Sequence, residues 1–187
     1  MANLIILSGL PGSGKTYLAR ALAQAMPAAH VSSDTIREDN FSPVRYTDQE
    51  TEYVFVKFHS HIKDWLEKRQ NVIADATNLR MKNVQPLLQI AYALEATPYI
   101  FCLSTPKEER TLRIAKRTYP DPLGTIKASE KMERYEDLDT EIISGWLDGT
   151  KPVEDLVSCV LGVVQPKPAY EWQHSWFDPG YDDGFNV

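Results

Sequence analysis

Apolar residues fall along this chain in two rhythms. Compact apolar stretches occur at Leu4–Leu7, Asn71–Asp75, Pro98–Leu103 and Leu156–Val164, and Ala28–Ser32 is a shorter candidate of the same kind. Runs without polar alternation suit strands covered on both faces, as in a parallel sheet. Between them, apolar positions recur every three or four residues, the period of a helix with one buried face. That period predicts helices over 17–25, from Asp48 to Arg69 (Tyr53, Val54, Val56 or Lys57, Phe58, His61, Trp65, Leu66) and from Arg80 to Glu95 (Val84, Leu87, Leu88, Ala91, Leu94). Thr105 is the expected cap of a further helix, with Pro106 at its first position, running to Arg117. Ser33–Asp39 suits a polar helical turn, and residues 40–47, with Pro43 and no period, a loop. Thr118–Gly124, with two prolines and a glycine, reads as a mobile connection, and Ile126 to about Leu147 as a charged helix, whole or broken. Strands alternating with helices predict an α/β fold. The expected form is a doubly wound, five-stranded parallel sheet with helices on both faces, Leu156–Val164 supplying the fifth strand.

The junction of the first strand and first helix carries the chemistry. Gly9-Leu10-Pro11-Gly12-Ser13-Gly14-Lys15-Thr16 fits G-x-x-x-x-G-K-S/T, the phosphate-binding loop of P-loop NTPases, in the strand–loop–helix setting that the motif requires. Gly12 and Gly14 can adopt angles that side chains resist, so that successive N–H groups converge on one anion. The helix opening near Lys15 directs its positive end at the same point. Lys15 adds a charge for the β- and γ-phosphates, and the Thr16 hydroxyl is placed for Mg²⁺. ATP and Mg²⁺ are the expected ligands, with Gly9, Pro11, Gly12, Ser13, Gly14, Lys15 and Thr16 lining the loop.

Length and composition narrow the class. A chain of 187 residues with 43% hydrophobic and 25% charged residues suits one soluble domain with a real core. The expected domain covers 1–164, with a lid near 113–126, followed by an aromatic, acidic tail at 165–187. Cys102 and Cys159 lie in apolar runs without paired spacing, which suits buried free thiols. The first apolar run is too short for a membrane segment and lacks a basic flank, so a cytoplasmic protein is expected. The net charge of −6 argues against wrapping long nucleic acid, whose binding rests on phosphate neutralisation. Contact with a strand end remains open, and cations do cluster at Arg110, Arg113, Lys116 and Arg117.

Ligands of a doubly wound sheet sit beyond the carboxyl ends of its strands. That rule gathers Asp34 after the second strand, Asp75 at the end of the third, and Arg113 and Arg117 one helical turn apart. The phosphate loop, Asp34-Thr35-Ile36-Arg37, Asp75-Ala76-Thr77-Asn78 and Arg113-Ile114-Ala115-Lys116-Arg117 occur in an order that resembles the kinase module of polynucleotide 5′-hydroxyl kinases, within the AAA_33 and zeta-toxin-related P-loop kinases. The resemblance runs to about residue 136 and includes Met132-Glu133-Arg134-Tyr135-Glu136. It implies ATP-dependent phosphorylation of a 5′-hydroxyl end, with Asp34 as general base, Arg37 on a phosphate of the acceptor strand, and Arg113 and Arg117 clamping the donor phosphates. The residues themselves allow the same chemistry. Phosphoryl transfer needs alignment and charge neutralisation, with a carboxylate in reach of the acceptor hydroxyl. Asp75 would reach the waters of the magnesium ion.

Duller roles stay open for each residue. Asp34 would also serve as a helix cap, Arg37 as one half of a surface ion pair, and the two lid arginines as a solvated helix face. His59 and His61 lack ligand partners at metal spacing. Asp137-Leu138-Asp139-Thr140 echoes a phosphatase nucleophile motif without the apolar strand that should precede it. Two other functions compete with the polynucleotide kinase. One is a small-molecule kinase for a nucleoside, sugar or antibiotic, and the other an ATPase that switches a protein-binding surface with its nucleotide.

Overall fold

The computed structural model describes residues 1–116, 122–133 and 138–164. Its sheet is built from β1 (Asn3–Ser8), β2 (Ala28–Ser32), β3 (Asn71–Asp75), β4 (Thr97–Ser104) and β5 (Gly145–Asp148). The helices are α1 (Lys15–Ala25), α2 (Ser33–Asn40), α3 (Asp48–Glu67), α4 (Met81–Ala93), α5 (Lys107–Ala115), α6 (Pro122–Met132) and α7 (Val153–Val164), with a 3-10 turn at Thr140–Ile142. All neighbouring strands are parallel, in the order β2-β3-β1-β4-β5. The expected doubly wound sheet is present.

Its two faces explain the unbroken apolar runs. Leu4, Ile6, Val72 and Ala74 bury against α3 (Val54, Phe58, Ile62, Leu66) and α4 (Val84, Leu87, Ala91). Ile5, Leu7, Ile73, Phe101 and Leu147 bury against α1 (Leu18, Leu22) and α7 (Leu156, Val160, Val164). Every central-strand side chain therefore meets a helix, and alternation has no solvent face to mark.

The C-terminal third departs from the expected elements. Leu156–Val164 is not the fifth strand but most of α7. Its buried residues, Leu156, Val160 and Val164, are spaced by four, and Glu154 and Asp155 occupy the first turn, where the helix dipole favours them. Cys159 consequently falls on the outer face and is exposed, whereas Cys102 on β4 is buried as expected. The fifth strand is the four-residue Gly-Trp-Leu-Asp of β5, inside the stretch 126–147 that resembled a helix. In the described part of that stretch, α6, Glu133 just after it and the 3-10 turn are helical. So short a strand exists because β4 offers it a paired edge, from Phe101↔Gly145 to Ser104↔Asp148. Pro122–Gly124, placed in the connection, opens α6 instead. Residues 117–121, 134–137 and 165–187 lie outside the described residues, and with them Arg117, Asp137 and the aromatic tail.

Candidate active site

β1 ends at Ser8, and the chain turns through the phosphate loop into α1. Gly12 and Gly14 have φ of 82° and 103°, in the left-handed region that favours glycine. Gly12 is excluded from change for a second reason: a Cβ there would lie 2.7 Å from the carbonyl oxygen of Arg110 on α5. Gly14 caps α1 without a side chain, and no acidic residue stands in the first turn. The opening N–H groups of α1 therefore have neither a side-chain cap nor a carboxylate in their own turn to answer them, and an anion fits that need. Lys15 is buried over the loop, its Nζ donating to the Leu10 carbonyl at 3.0 Å and lying 3.5 Å from Ser13 Oγ. Thr16 follows, half-buried, on the first turn.

The loop is fastened from both sides of the sheet. On the β3 side, the Gly9 N–H donates to the Thr77 carbonyl at 3.0 Å. Asn78, fully buried, donates from Nδ2 to the Leu7 carbonyl at 2.9 Å, and Ser8 Oγ donates to the Asn78 carbonyl at 3.0 Å. On the β4 side, Thr105 Oγ1 donates to the Ser13 carbonyl at 3.1 Å. That bond corrects the expected cap: α5 begins at Lys107 after Pro106, with no side-chain cap, because the Thr105 hydroxyl is committed to the loop.

Arg113 stands on the same side. Its Nη1 donates to the Ser13 carbonyl at 3.3 Å, its Nη2 to the Gly149 carbonyl at 2.9 Å and its Nε to Glu109 at 2.9 Å. It thus brackets the phosphate loop to the turn after β5. Gly149 is required there by close approach, since a Cβ would sit 2.6 Å from the Ser13 carbonyl oxygen. The cationic cluster of the sequence is divided by the fold. Arg110 is buried beneath the loop, donates to the Thr105 carbonyl at 2.7 Å and pairs with Glu133. Lys116 is exposed at the end of α5. Beside Arg110, Lys107 pairs with Glu130 of α6 at 2.8 Å, so two ion pairs join α5 to α6 and the residue that follows it.

Asp34 and Asp75 lie on the other flank. The β1–β3 register sets Asp75 beside Leu7, at the mouth of the loop, and the carboxylate is 3% exposed. Its Oδ2 lies 3.1 Å from Nε2 of His30 on β2, a partner that no spacing rule flagged. Asp34 is exposed in the first turn of α2. The cap of α2 is Ser32, whose Oγ accepts the Thr35 N–H, so Asp34 is not needed for that work. Arg37, one turn on, is buried. Its Nη2 donates to Thr51 Oγ1 at 3.3 Å, and its Nη1 lies 3.6 Å from Glu50 Oε2 without a hydrogen-bond partner among the described residues. Glu50, near the start of α3, also accepts the N–H groups of Arg45 (3.0 Å) and Tyr46 (2.7 Å). One buried carboxylate therefore holds the α2–α3 loop and its arginine together.

The sequence model of a family described as an AAA domain matches residues 4–137, from β1 through the described part of α6. The chain belongs to the AAA domain family. Solved structures with the same fold include a gluconokinase from Sinorhizobium meliloti (TM-score 0.65, 18% identity, 94% of this chain and 98% of that one). The APS kinase CysC of Mycobacterium tuberculosis, solved with AMPPNP and APS, is similar at TM-score 0.64 and 12% identity, over 87% of this chain and 97% of that one. A chain of the Pnkp1/Rnl/Hen1 RNA repair complex is 25% identical over 72% of this chain and 45% of that one, at TM-score 0.61. No curated protein matches the sequence significantly. This AAA domain is a kinase-like P-loop NTPase by fold, and no described helix is long and apolar enough to cross a membrane.

Several residues of the AAA domain site carried no sequence signal. Thr105 and Gly149 come to the loop only because β4 and β5 pair, and Glu50 lies thirteen residues beyond its arginine, on another helix. Asn78 lay inside a recognised motif, but its bond to β1 depends on strand order. His59, set aside as a ligand, packs against Phe55 and Phe58. Asp139, of the phosphatase-like stretch, accepts the Glu141 N–H at the 3-10 turn.

Proposed function

We propose that the protein is an ATP-dependent kinase that transfers the γ-phosphoryl group to the 5′-hydroxyl of a polynucleotide end. The observation that carries the reading is the pairing of Asp34 with Arg37. An exposed carboxylate in the first turn of α2 stands one turn from a buried guanidinium whose Nη1, 3.6 Å from Glu50, has no hydrogen-bond acceptor among the described residues. Such an orphaned donor costs about 1–3 kcal/mol. The 25% identity to a chain of an RNA repair complex supports the same acceptor class.

The loop fits ATP, since uncapped N–H groups and Lys15 meet at one point. Thr16 and Asp75 are oxygen donors of the kind that Mg²⁺ takes, Asp75 with the oxygen that His30 does not hold. Bound Mg²⁺ would supply charge neutralisation across the β- and γ-phosphates. Lys15 would move from the Leu10 carbonyl to the phosphates. Asp34 takes the proton of the acceptor hydroxyl as the new O–P bond forms and the bond to the β-phosphate oxygen breaks, releasing ADP. Arg37 holds the acceptor phosphate. Arg113 exchanges the Ser13 and Gly149 carbonyls for donor oxygens and acts with Arg117 on the migrating charge.

The acidic setting of the acceptor flank (Asp34, Glu38, Glu50) favours a second reading, a kinase of a small, uncharged molecule such as a nucleoside, sugar or antibiotic. A nucleotide-switched protein-binding ATPase is the third, and it has no use for an acceptor-activating carboxylate. Labelled ATP offered with a 5′-OH oligonucleotide, with a nucleoside mixture, or alone separates the three. Label is expected on the oligonucleotide. Asp34→Asn is expected to lower kcat by about 10²–10⁴ while ATP binding persists. Label confined to a nucleoside, or an unaltered rate in the Asn variant, defeats the reading.

A further inference from the structure

Tyr46 is an unusual residue in the α2–α3 loop. Its φ of 54° places a bulky side chain in the left-handed region, where aromatic residues are genuine outliers. Held strain of this kind persists only where the surroundings impose it. Here the imposing group is Glu50, whose buried carboxylate takes the Tyr46 N–H at 2.7 Å and the Arg45 N–H beside it. The hairpin beneath is itself secured. Tyr53 OH donates to Asn40 Oδ1 at 3.0 Å, Asn40 Nδ2 donates to the Ile36 carbonyl at 2.7 Å, and Phe41 meets Tyr53 edge to face at 5.4 Å.

The result of that backbone angle is a ring set over the Arg37 guanidinium, 4.8 Å from ring centroid to Cζ. Arg37 is 6% exposed, but Tyr46 remains 55% exposed. One face of the ring is therefore used on a fixed cation, and the other side of the residue is left to solvent. Burial and the nearby Asp34 carboxylate both raise the phenol above its ordinary 10.0, so the hydroxyl remains a donor at neutral pH. An exposed tyrosine that only needed to be polar would not require a left-handed backbone, whereas a ring fixed over Arg37 does.

We propose that Tyr46 is the acceptor platform, on whose free face the terminal nucleobase of the acceptor stacks while its 5′-hydroxyl meets Asp34. The proposal rests on the kinase reading above and deepens it: the acceptor is one that carries a planar base next to the reacting hydroxyl. The stack is sequence-tolerant, because every base has a π-face. Arg37 then holds the ring from below.

The test is steady-state kinetics of Tyr46→Phe, Tyr46→Leu and Tyr46→Ala, with three probes: a 5′-OH oligonucleotide, a nucleoside mixture and a base-free hexose. Tyr46→Phe keeps the ring and should leave the acceptor KM within about twofold. Tyr46→Ala and Tyr46→Leu should raise the oligonucleotide KM by about tenfold, the size of one lost base–aromatic stack, with the KM for ATP and the acceptor-free ATP hydrolysis unchanged. Leucine still covers Arg37, so recovery of the KM in Tyr46→Leu would show that the ring is only a cover and overturn the proposal. An unchanged acceptor KM in Tyr46→Ala, or an equal rise in the KM for ATP, would overturn it too while leaving the kinase reading intact. Transfer to nucleosides alone, with their KM raised in Tyr46→Ala, would defeat the polynucleotide reading and support the platform. Transfer to the hexose alone, or to none of the three, would defeat both.

Discussion

On the α5/β5 flank the phosphate loop is held by backbone carbonyls. Thr105 and Arg113 both donate to Ser13, Arg113 reaches on to Gly149, and a Cβ on Gly12 or Gly149 would strike main-chain oxygen. On the α2/α3 flank the proposed acceptor side is held by one carboxylate, Glu50, which takes two loop N–H groups and faces Arg37. The first arrangement tolerates nothing larger than glycine at two turns and shares its bonds between a neutral hydroxyl and Arg113. The second tolerates shape changes in an open loop and fails if one charge is removed. Rigid packing suits a loop that must take the same polyphosphate every turnover. A charge-held hairpin would suit the acceptor surface proposed above.

Three experiments break or sharpen this contrast. The largest effect is expected at Glu50. Glu50→Ala leaves a buried guanidinium and two loop N–H groups without their partner, which should cost about 3–5 kcal/mol of stability in a denaturant titration. The folded fraction should still bind ATP as the wild type does. Loss of ATP affinity in that fraction would mean that the flanks are not separable. Gly12→Ala should act the opposite way. A Cβ 2.7 Å from the Arg110 carbonyl, at a φ of 82°, must displace the loop. ATP affinity should fall by about 10²-fold in calorimetry, by analogy with the cost of misplacing a reactive group by about 1 Å. Acceptor binding should be retained. The smallest effect is expected at His59, outside both flanks. Burial holds its imidazole below the ordinary 6.5, and its Nε2 has no hydrogen-bond partner among the described residues. The unfolded chain binds a proton near pH 6.5 that the folded one resists, so stability falls as pH drops below about 6.5. His59→Phe keeps a ring beside Phe55 and Phe58 and should flatten that part of a Tm-against-pH profile. An identical slope in the variant would assign the acid loss to other groups.

The donor flank was legible before any coordinates because its requirements are local. Glycines, lysine and threonine at fixed spacing, between an apolar strand and a helix, specify a phosphate cradle by backbone angle and helix dipole alone. Asp34, Arg37 and Asp75 were legible as candidates because strand ends are countable and ligands gather at them. The C-terminal third was not. Leu-Val-Ser-Cys-Val-Leu-Gly-Val-Val satisfies both a buried strand and a helix with one buried stripe, and α1 rather than local preference selects the helix. Gly145–Asp148 has too few residues to announce a strand, and it becomes one only against β4.

Local chain chemistry thus determined that this protein has a phosphate loop at the head of a parallel sheet, and which charged residues compete for the site. The tertiary structure decided how those residues are employed. It committed Thr105 to the loop instead of a helix cap, placed Arg113 between Ser13 and Gly149, buried Arg37 on Glu50 and set Tyr46 over it. The physical reason is range. Backbone angles and helix dipoles act within a few residues, whereas the partner of a buried charge is chosen by whichever element the sheet order brings beside it.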